Sequence, residues 1–324
     1  MHKPISVVEY HTKIPTVSPA DPFMDNEDAK ILRKAMKGIG TDEEAIIDIL
    51  AKRTSYQMQI IRETYKHSFD RDLVEDLKSE VSFRFKDVIM ALMTPMPLYM
   101  AQALHKALHG NKNNTLIEIL CTRDKMSIGN IKKAYLEEYG TELTEDLNTT
   151  LQSSVKFGQF LIEMITQERS EVTDDLQVAK YLSQKLYDAG AGRSCTPVED
   201  EMMAILPRFS YPMLRLVFRE YFNIHDDEFQ NVIDTQFPEE LRNDMKTVYL
   251  SITSPPVFFA KELHSAIAGA GTDDTKLIRL IVSRCEIDMG NIKEEYEKLY
   301  LESLKDAIKG DTRGDYRKTL LALI

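Results

Sequence analysis

Two short stretches of the chain carry residue types and spacing that could do chemistry: Met36-Lys37-Gly38-Ile39-Gly40-Thr41-Asp42 and Ile267-Ala268-Gly269-Ala270-Gly271-Thr272-Asp273. Each follows one helical apolar pattern and precedes another. A helix ending at such a join leaves its last carbonyls without intrahelical partners, and its macrodipole puts negative partial charge at the same point. Paired glycines permit positive φ, so several carbonyls can converge. Converging oxygens at a negative helix end suit a hard cation, which also needs a carboxylate. Glu80 lies 42 residues past Gly38, and Asp311 lies 42 residues past Gly269. Three carbonyls and a bidentate carboxylate supply about five of the roughly 6–8 oxygens that Ca²⁺ takes, which leaves positions for water or a lipid phosphate. Mg²⁺ fits less well, because it keeps its water in tight octahedral geometry.

The elements that must hold these loops come from a repeat. Ile46 to Arg53 resembles Leu116 to Arg123 and Leu277 to Arg284, with a fainter copy at Met202 to Arg208. Each copy closes on an apolar stretch: Val88 to Met93, Phe160 to Ile165, Val248 to Ile252 and Leu320 to Ile324. This sets four repeats of about 70 residues at 25–94, 97–166, 182–253 and 256–324, with a tail over 1–24 and a linker over 167–181. Inside the first repeat the apolar spacing is helical throughout. Ala29, Leu32 and Met36 mark one helix, and Thr41-Asp42-Glu43-Glu44 reads as a capping box opening a second along Ala45, Ile46, Ile49 and Leu50. Ile60, Ile61 and Tyr65 mark a third, Leu73 and Leu77 a fourth, and Phe85, Ile89 and Leu92 a fifth. Five helices in each of four repeats make an all-α array whose apolar stripes form its core.

Composition narrows the function classes. The 324 residues include only 13 Gly and 12 Pro, with 43% hydrophobic and 29% charged residues, which suits a helical globular chain. A net charge of −11 disfavours direct binding to nucleic acid or to an anionic lipid surface unless a cation intervenes. Cys121, Cys195 and Cys285 are too far apart for a CxxC pair or zinc spacing, consistent with a reducing compartment. The first residues lack a signal-peptide pattern, and no apolar run approaches the ~18 residues of a membrane span, so a cytoplasmic protein is expected. Catalysis is not expected. The glycine loops lack the third glycine of a dinucleotide fingerprint and follow helices, and no HExxH, P-loop or GxSxG occurs. His105 and His109, at i and i+4, want a third metal ligand that is not found. Arg313-Gly314-Asp315 spells an adhesion tripeptide, but it falls beside Asp311 in a loop that already accounts for its Gly and Asp.

Two GxGT loops with acids 42 residues on, a four-fold repeat, and Lys309-Gly310-Asp311-Thr312-Arg313-Gly314-Asp315-Tyr316 together resemble the annexins, in a four-repeat, invertebrate-like form, over nearly everything after residue 22. The resemblance implies a curved disc of four five-helix repeats, calcium loops on its convex face, and reversible, peripheral, calcium-dependent binding to acidic phospholipid membranes such as those containing phosphatidylserine. It places the main calcium ligands on the carbonyls of Met36, Gly38 and Gly40 with the Glu80 side chain, and on those of Ile267, Gly269 and Gly271 with Asp311. Minor sites would use Thr41 with Glu43, and Thr272 with Asp274. Arg33 and Lys37 match positions that touch lipid headgroups. Repeats one and four share one half of the disc, and Glu118, Arg123 and Arg279 fit the polar path between halves, where Met100 replaces a common acid.

Repeats two and three depart from the pattern. Leu108-His109-Gly110-Asn111 loses a glycine and the threonine, and its acid position falls on Thr150 or Gln152. Gly190-Ala191-Gly192-Arg193-Ser194-Cys195 replaces the last glycine, and its acid position falls on Gln236, with Asp234 or Glu239 as substitutes in a shifted register. An amide lacks the charge that dominates divalent affinity, so both sites are expected to be weak or empty. The expected function is calcium-bridged membrane attachment through repeats one and four, in membrane organisation or trafficking. The alternative is a calcium-regulated scaffold whose tail, with Ser6, Tyr10, Thr12, Thr16 and Ser18, takes a protein partner or phosphate. Self-association on membranes stays open beside both.

Overall fold

The computed structural model describes residues 12–324, apart from Ile39, Ala270 and the side chain of Ser153. Repeat one folds as α1 (Asp25–Ala35), α2 (Glu43–Leu50), α3 (Ser55–Phe69), α4 (Leu73–Glu80) and α5 (Phe83–Met93). Repeat two follows as α6 (Met96–His109), α7 (Asn113–Leu120), α8 (Lys125–Tyr139), α9 (Leu143–Thr150) and α10 (Val155–Thr166), with a 3-10 turn at Gln152–Ser154. Repeat three comprises α11 (Leu176–Gly190), α12 (Val198–Ile205), α13 (Tyr211–His225), α14 (Phe229–Gln236) and α15 (Glu239–Thr253). Repeat four comprises α16 (Pro255–Ile267), α17 (Asp274–Arg284), α18 (Met289–Tyr300), α19 (Leu304–Asp311) and α20 (Gly314–Leu323). The described residues contain no strand.

Local chemistry sets the helix ends. Three acids open α1 and Arg33 and Lys34 close it, matching the macrodipole at both ends. Thr54 and Gln57 form a reciprocal capping box at α3. The third helix of every repeat ends on a left-handed residue: Asp70, Gly140, Asp226 and Leu301, at φ 52, 69, 51 and 54°. Two sequence expectations are corrected. The cap of α2 is Asp42, whose carboxylate accepts from the Ala45 N–H at 3.0 Å, and Thr41 faces elsewhere. The linker expected over 167–181 ends early, because Asp175 caps α11 through the N–H groups of Gln177 and Val178, and repeat three therefore starts at Leu176.

The chain divides into two compact units. One spans residues 100–258 and holds repeats two and three, with α11 packed on α13 and α15 on α7. The other joins residues 12–99 to 259–324 and holds repeats one and four, with α5 packed on α17 and α20, and α2 on α20. The first and last repeats thus share one core, built around fully buried Leu32, Ile46, Leu50, Ile61, Leu280 and Leu320. The buried thiols of Cys121 and Cys285 are pushed up to about 12 by loss of solvent, and Cys195 is exposed. Glu118 and Met100 are wholly buried and Arg279 nearly so, while the Arg123 guanidinium donates to the Met100 sulfur at 3.0 Å.

The tail is not free over residues 12–20. The N–H groups of Thr16 and Val17 donate to the Cys285 carbonyl at 2.8 and 3.0 Å, and Ile14 pairs its N–H with Asn291 Oδ1 and its carbonyl with the Gly290 N–H. At Ala20 both backbone groups bond the Gln57 side-chain amide. The tail therefore ties repeat four to repeat one within their unit. The Thr16 hydroxyl donates to the Leu323 carbonyl at 2.5 Å, so of the expected modification positions this one belongs to the latch. Ser6 and Tyr10 lie outside the described residues. A Cβ at Gly290 would sit 2.5 Å from Ile14 Cγ2 and 2.9 Å from the Ile14 carbonyl oxygen. Gly290→Ala should therefore displace the latch, destabilising the protein by about 1–3 kcal/mol and exposing the amides of Ile14, Thr16 and Val17 to hydrogen exchange; unchanged protection would contradict the arrangement.

Candidate functional site

Each loop is built at the join of its repeat's first two helices. After α1, the chain turns through Gly38 at φ 120° and Gly40 at φ 88°, and the Asp42 N–H closes the loop on the Ala35 carbonyl at 2.9 Å. The corresponding bond in repeat four runs from the Asp273 N–H to the Ala266 carbonyl at 2.9 Å, with Gly271 at φ 120°. A side chain at Gly38, Gly40 or Gly271 would meet no crowding, so the demand for glycine there is conformational. The Met36 side chain is buried, whereas Lys37 and both repeat-one glycines are exposed. Among the described residues, no backbone N–H donates to the carbonyls of Met36, Gly38, Gly40, Gly269 or Gly271.

The distant carboxylates arrive at these loops by the same construction. The fourth helix of every repeat has eight residues, and its last residue is Glu80, Thr150, Gln236 or Asp311 in turn. The Thr41 hydroxyl donates to Glu80 Oε2 at 2.9 Å, and the Thr272 hydroxyl donates to Asp311 Oδ2. Both pairs span 39 residues. Each hydroxyl fixes one carboxylate oxygen at the loop and leaves further acceptor capacity on the carboxylate. Glu80 and Asp311 also line a single cleft of about 470 Å³ between repeats one and four, with Glu43, Asp274 and Arg84. Among the described residues, no cluster of three or more His, Cys, Asp or Glu side chains could hold a metal ion. A hard cation here would have to draw most of its oxygens from the backbone.

The other two repeats differ in loop length as well as in residue type. Their closing bonds run from Lys112 to Ala107 at 2.9 Å and from Arg193 to Asp188 at 2.8 Å, spanning five residues where repeats one and four span seven. Two residues fewer means fewer carbonyls to converge. In repeat two the fourth helix ends on Thr150, and Gln152 lies beyond it in the 3-10 turn. In repeat three, a Cβ at Gly190 would be 3.1 Å from Gln236 Oε1, so Gln236 stands against its loop much as Glu80 stands against Thr41. Asp234 is engaged elsewhere, with Lys246 at 2.6 Å.

Two further expectations meet competing partners. Asp274, read as a minor ligand with Thr272, pairs with Arg84 Nε at 2.7 Å and faces the buried Tyr316, whose hydroxyl is pushed upward by burial and by the Asp274 charge. Glu43 lines the cleft, while Thr41 and Thr272 act on the carboxylates as donors. Arg33, read as a headgroup contact, turns inward to Asp76 at 3.7 Å. The Arg71 guanidinium beside Asp76 holds its carboxyl below the usual carboxylate range, and the Tyr65 hydroxyl donates to the same carboxylate at 2.6 Å. The Thr41–Glu80 and Thr272–Asp311 pairs had a signal in the sequence, their equal spacing; the Arg84–Asp274 bridge had none, because its partners belong to different repeats.

His105 packs flat on Tyr139 at 3.9 Å and meets the Tyr135 hydroxyl at 3.0 Å, while His109 Nδ1 bonds the His105 carbonyl. The stack recurs as His225 on Tyr187 and His264 on Tyr300, at 3.8 and 3.7 Å, so these rings are packing elements that join first and third helices. In the adhesion-like tripeptide, Asp315 is paired with Lys318 in the first turn of α20.

Four five-helix repeats, two of them bringing a carboxylate to a glycine loop, define a helical-repeat protein. A family model described as Annexin matches residues 27–92, 99–162 and 258–323, leaving the degraded third repeat unmatched. Annexin B10 of Drosophila melanogaster is 40% identical over 316 residues, covering 96% of this chain and 98% of the relative. The structure of annexin III aligns with a TM-score of 0.87 at 35% identity, over 95% of this chain and 96% of that one. That of calcium-bound annexin (Sm)1 aligns with a TM-score of 0.86 at 30% identity, over 96% and 93%. The chain belongs to the annexin family. Annexins are peripheral proteins that bind calcium and acidic phospholipid, and in general they are not enzymes. No helix among the described residues is long and apolar enough to cross a membrane.

Burial lowers the ring pKa of His105 and of His225 below the ordinary 6.5. Their contribution to stability is complete above the unfolded value and is lost as pH falls through the lowered native values. The urea midpoint should therefore fall between pH 7 and pH 5, and His105→Phe, which keeps a ring on Tyr139 without a titrating group, should reduce that fall. A pH response identical in the variant would contradict the assignment.

Proposed function

We propose that this annexin attaches reversibly to acidic phospholipid through calcium held in repeats one and four alone. The observation that carries the reading is the hydroxyl–carboxylate pair at each glycine loop, Thr41 with Glu80 and Thr272 with Asp311. The carbonyls of Met36, Gly38 and Gly40 with Glu80 would hold one ion, and those of Ile267, Gly269 and Gly271 with Asp311 the other. Bound calcium supplies local positive charge and vacant coordination positions for a lipid phosphate. The chain needs that charge, because at −11 it is repelled by an anionic bilayer. Threonine hydroxyls pre-position the carboxylates, and the glycines keep the carbonyls clear of side chains. Protein and lipid each complete the ion's shell, so calcium affinity and lipid affinity rise together by linkage. Repeats two and three, with shorter loops and with Thr150 and Gln236 in the acid's place, contribute little. A cytoplasmic protein acting in membrane organisation fits this switch.

Cosedimentation with phosphatidylserine vesicles across a calcium titration tests the reading. The wild type should pellet in calcium, not in Mg²⁺, and should be released by chelator. Glu80→Gln with Asp311→Asn keeps the shapes and removes both charges, and should raise the calcium required by at least about tenfold. Normal pelleting of the double variant would show that the ligands lie elsewhere. Thr41→Val should weaken the repeat-one site by about threefold through loss of one net hydrogen bond, read by calcium titration of Asp311→Asn protein; equal affinity with and without the hydroxyl would contradict its positioning role.

A further inference from the structure

Three residues past Glu80 stands Phe83, and three residues past Asp311 stands Gly314. Both open the fifth helix of their repeat, and both are left-handed, at φ 52° and 60°. Glycine takes that conformation without steric cost, but a bulky aromatic residue there is a backbone outlier. The strain brings no packing in return, since Phe83 is 90% exposed. Its ring stands at the rim of the cleft that Glu80 lines. Its neighbour Arg84 is paired with Asp87 and Asp274, and Glu43, Glu80, Asp274 and Asp311 line the same cleft, so the ring stands over a largely acidic floor that a bound cation would neutralise. An exposed aromatic ring beside the proposed cation site is placed as an interfacial anchor would be.

We infer that Phe83 inserts into the acyl–headgroup boundary of an anionic bilayer when repeat one engages it, giving the first repeat an apolar grip that the fourth lacks. The inference rests on calcium-dependent lipid attachment as proposed above. Leu301 provides an internal contrast: it too is left-handed and 92% exposed, but it lies before α19, at the opposite end of that helix from Asp311. Across eight helical residues that separation is about 12 Å.

The chain contains no tryptophan, so Phe83→Trp and Leu301→Trp each introduce a single reporter. With phosphatidylserine vesicles carrying brominated acyl chains, Phe83→Trp emission should shift to the blue and be quenched in calcium, and recover with chelator, while Leu301→Trp emission should stay unchanged. Phe83→Gly relieves the backbone strain, so its folding is secure, and it should need about tenfold more lipid for half-maximal binding at fixed calcium. Pelleting of Phe83→Trp without shift or quenching, or undiminished lipid affinity of Phe83→Gly, overturns the anchor and leaves calcium attachment standing. Failure of every protein to pellet overturns both. Equal quenching at Leu301 shows generalised adsorption and also overturns the anchor.

Discussion

The fold is organised by an unmet need at four helix ends. The last carbonyls of a first helix point into a loop, and whatever gathers them must bring positive charge and be balanced by a carboxylate from elsewhere. Repeats one and four meet this by ending an eight-residue fourth helix on an acid and tying it with a threonine hydroxyl 39 residues earlier. The five-helix repeat is the frame that makes such a distant acid arrive at the loop. Where the acid becomes Thr150 or Gln236, the loop also shortens, and its closing bond spans five residues instead of seven. Loss of charge and loss of carbonyls go together.

Placing repeats one and four in one compact unit concentrates this chemistry. Glu80 and Asp311 face one cleft, the Arg84–Asp274 bridge crosses from one repeat to the other, and the chain's own residues 12–20 bind the Cys285–Asn291 turn and Gln57. A cation bound in either loop, as proposed, would act on a shared core. The same packing gives two of the expected ligand groups internal partners: Arg33 lies 3.7 Å from Asp76, and Asp274 pairs with Arg84.

Much of this was legible in the sequence because it follows from period and spacing. The 3.6-residue apolar rhythm marks the helices, the recurring Ile-Leu-Arg segment marks the repeats, and two equal intervals of 42 residues link glycine loops to acids. What escaped was set by tertiary contact. Thr41 looked like a cap because it precedes Asp-Glu-Glu, but Asp42 reaches the Ala45 N–H and frees the threonine for Glu80. The polar run after Gln167 hid the start of α11, since Asp175 turns a linker-like segment into a capped helix. The latch was invisible because most of its partners, at Cys285, Gly290 and Asn291, lie some 270 residues away in sequence. Nothing in the sequence separates Phe83 from Phe85; its φ and its exposure do, since Phe85 is buried.

The central claim is that two loops, and not four, gather a hard cation with a carboxylate borrowed from the fourth helix. A crystal structure of the protein grown in calcium, with the ions located by anomalous scattering, tests it most directly. The account predicts peaks within about 2.3–2.6 Å of the Glu80 and Asp311 carboxylates and of the glycine-loop carbonyls, with none at Thr150 or Gln236. Full occupancy in repeats two and three, or ions at neither Glu80 nor Asp311, would contradict it.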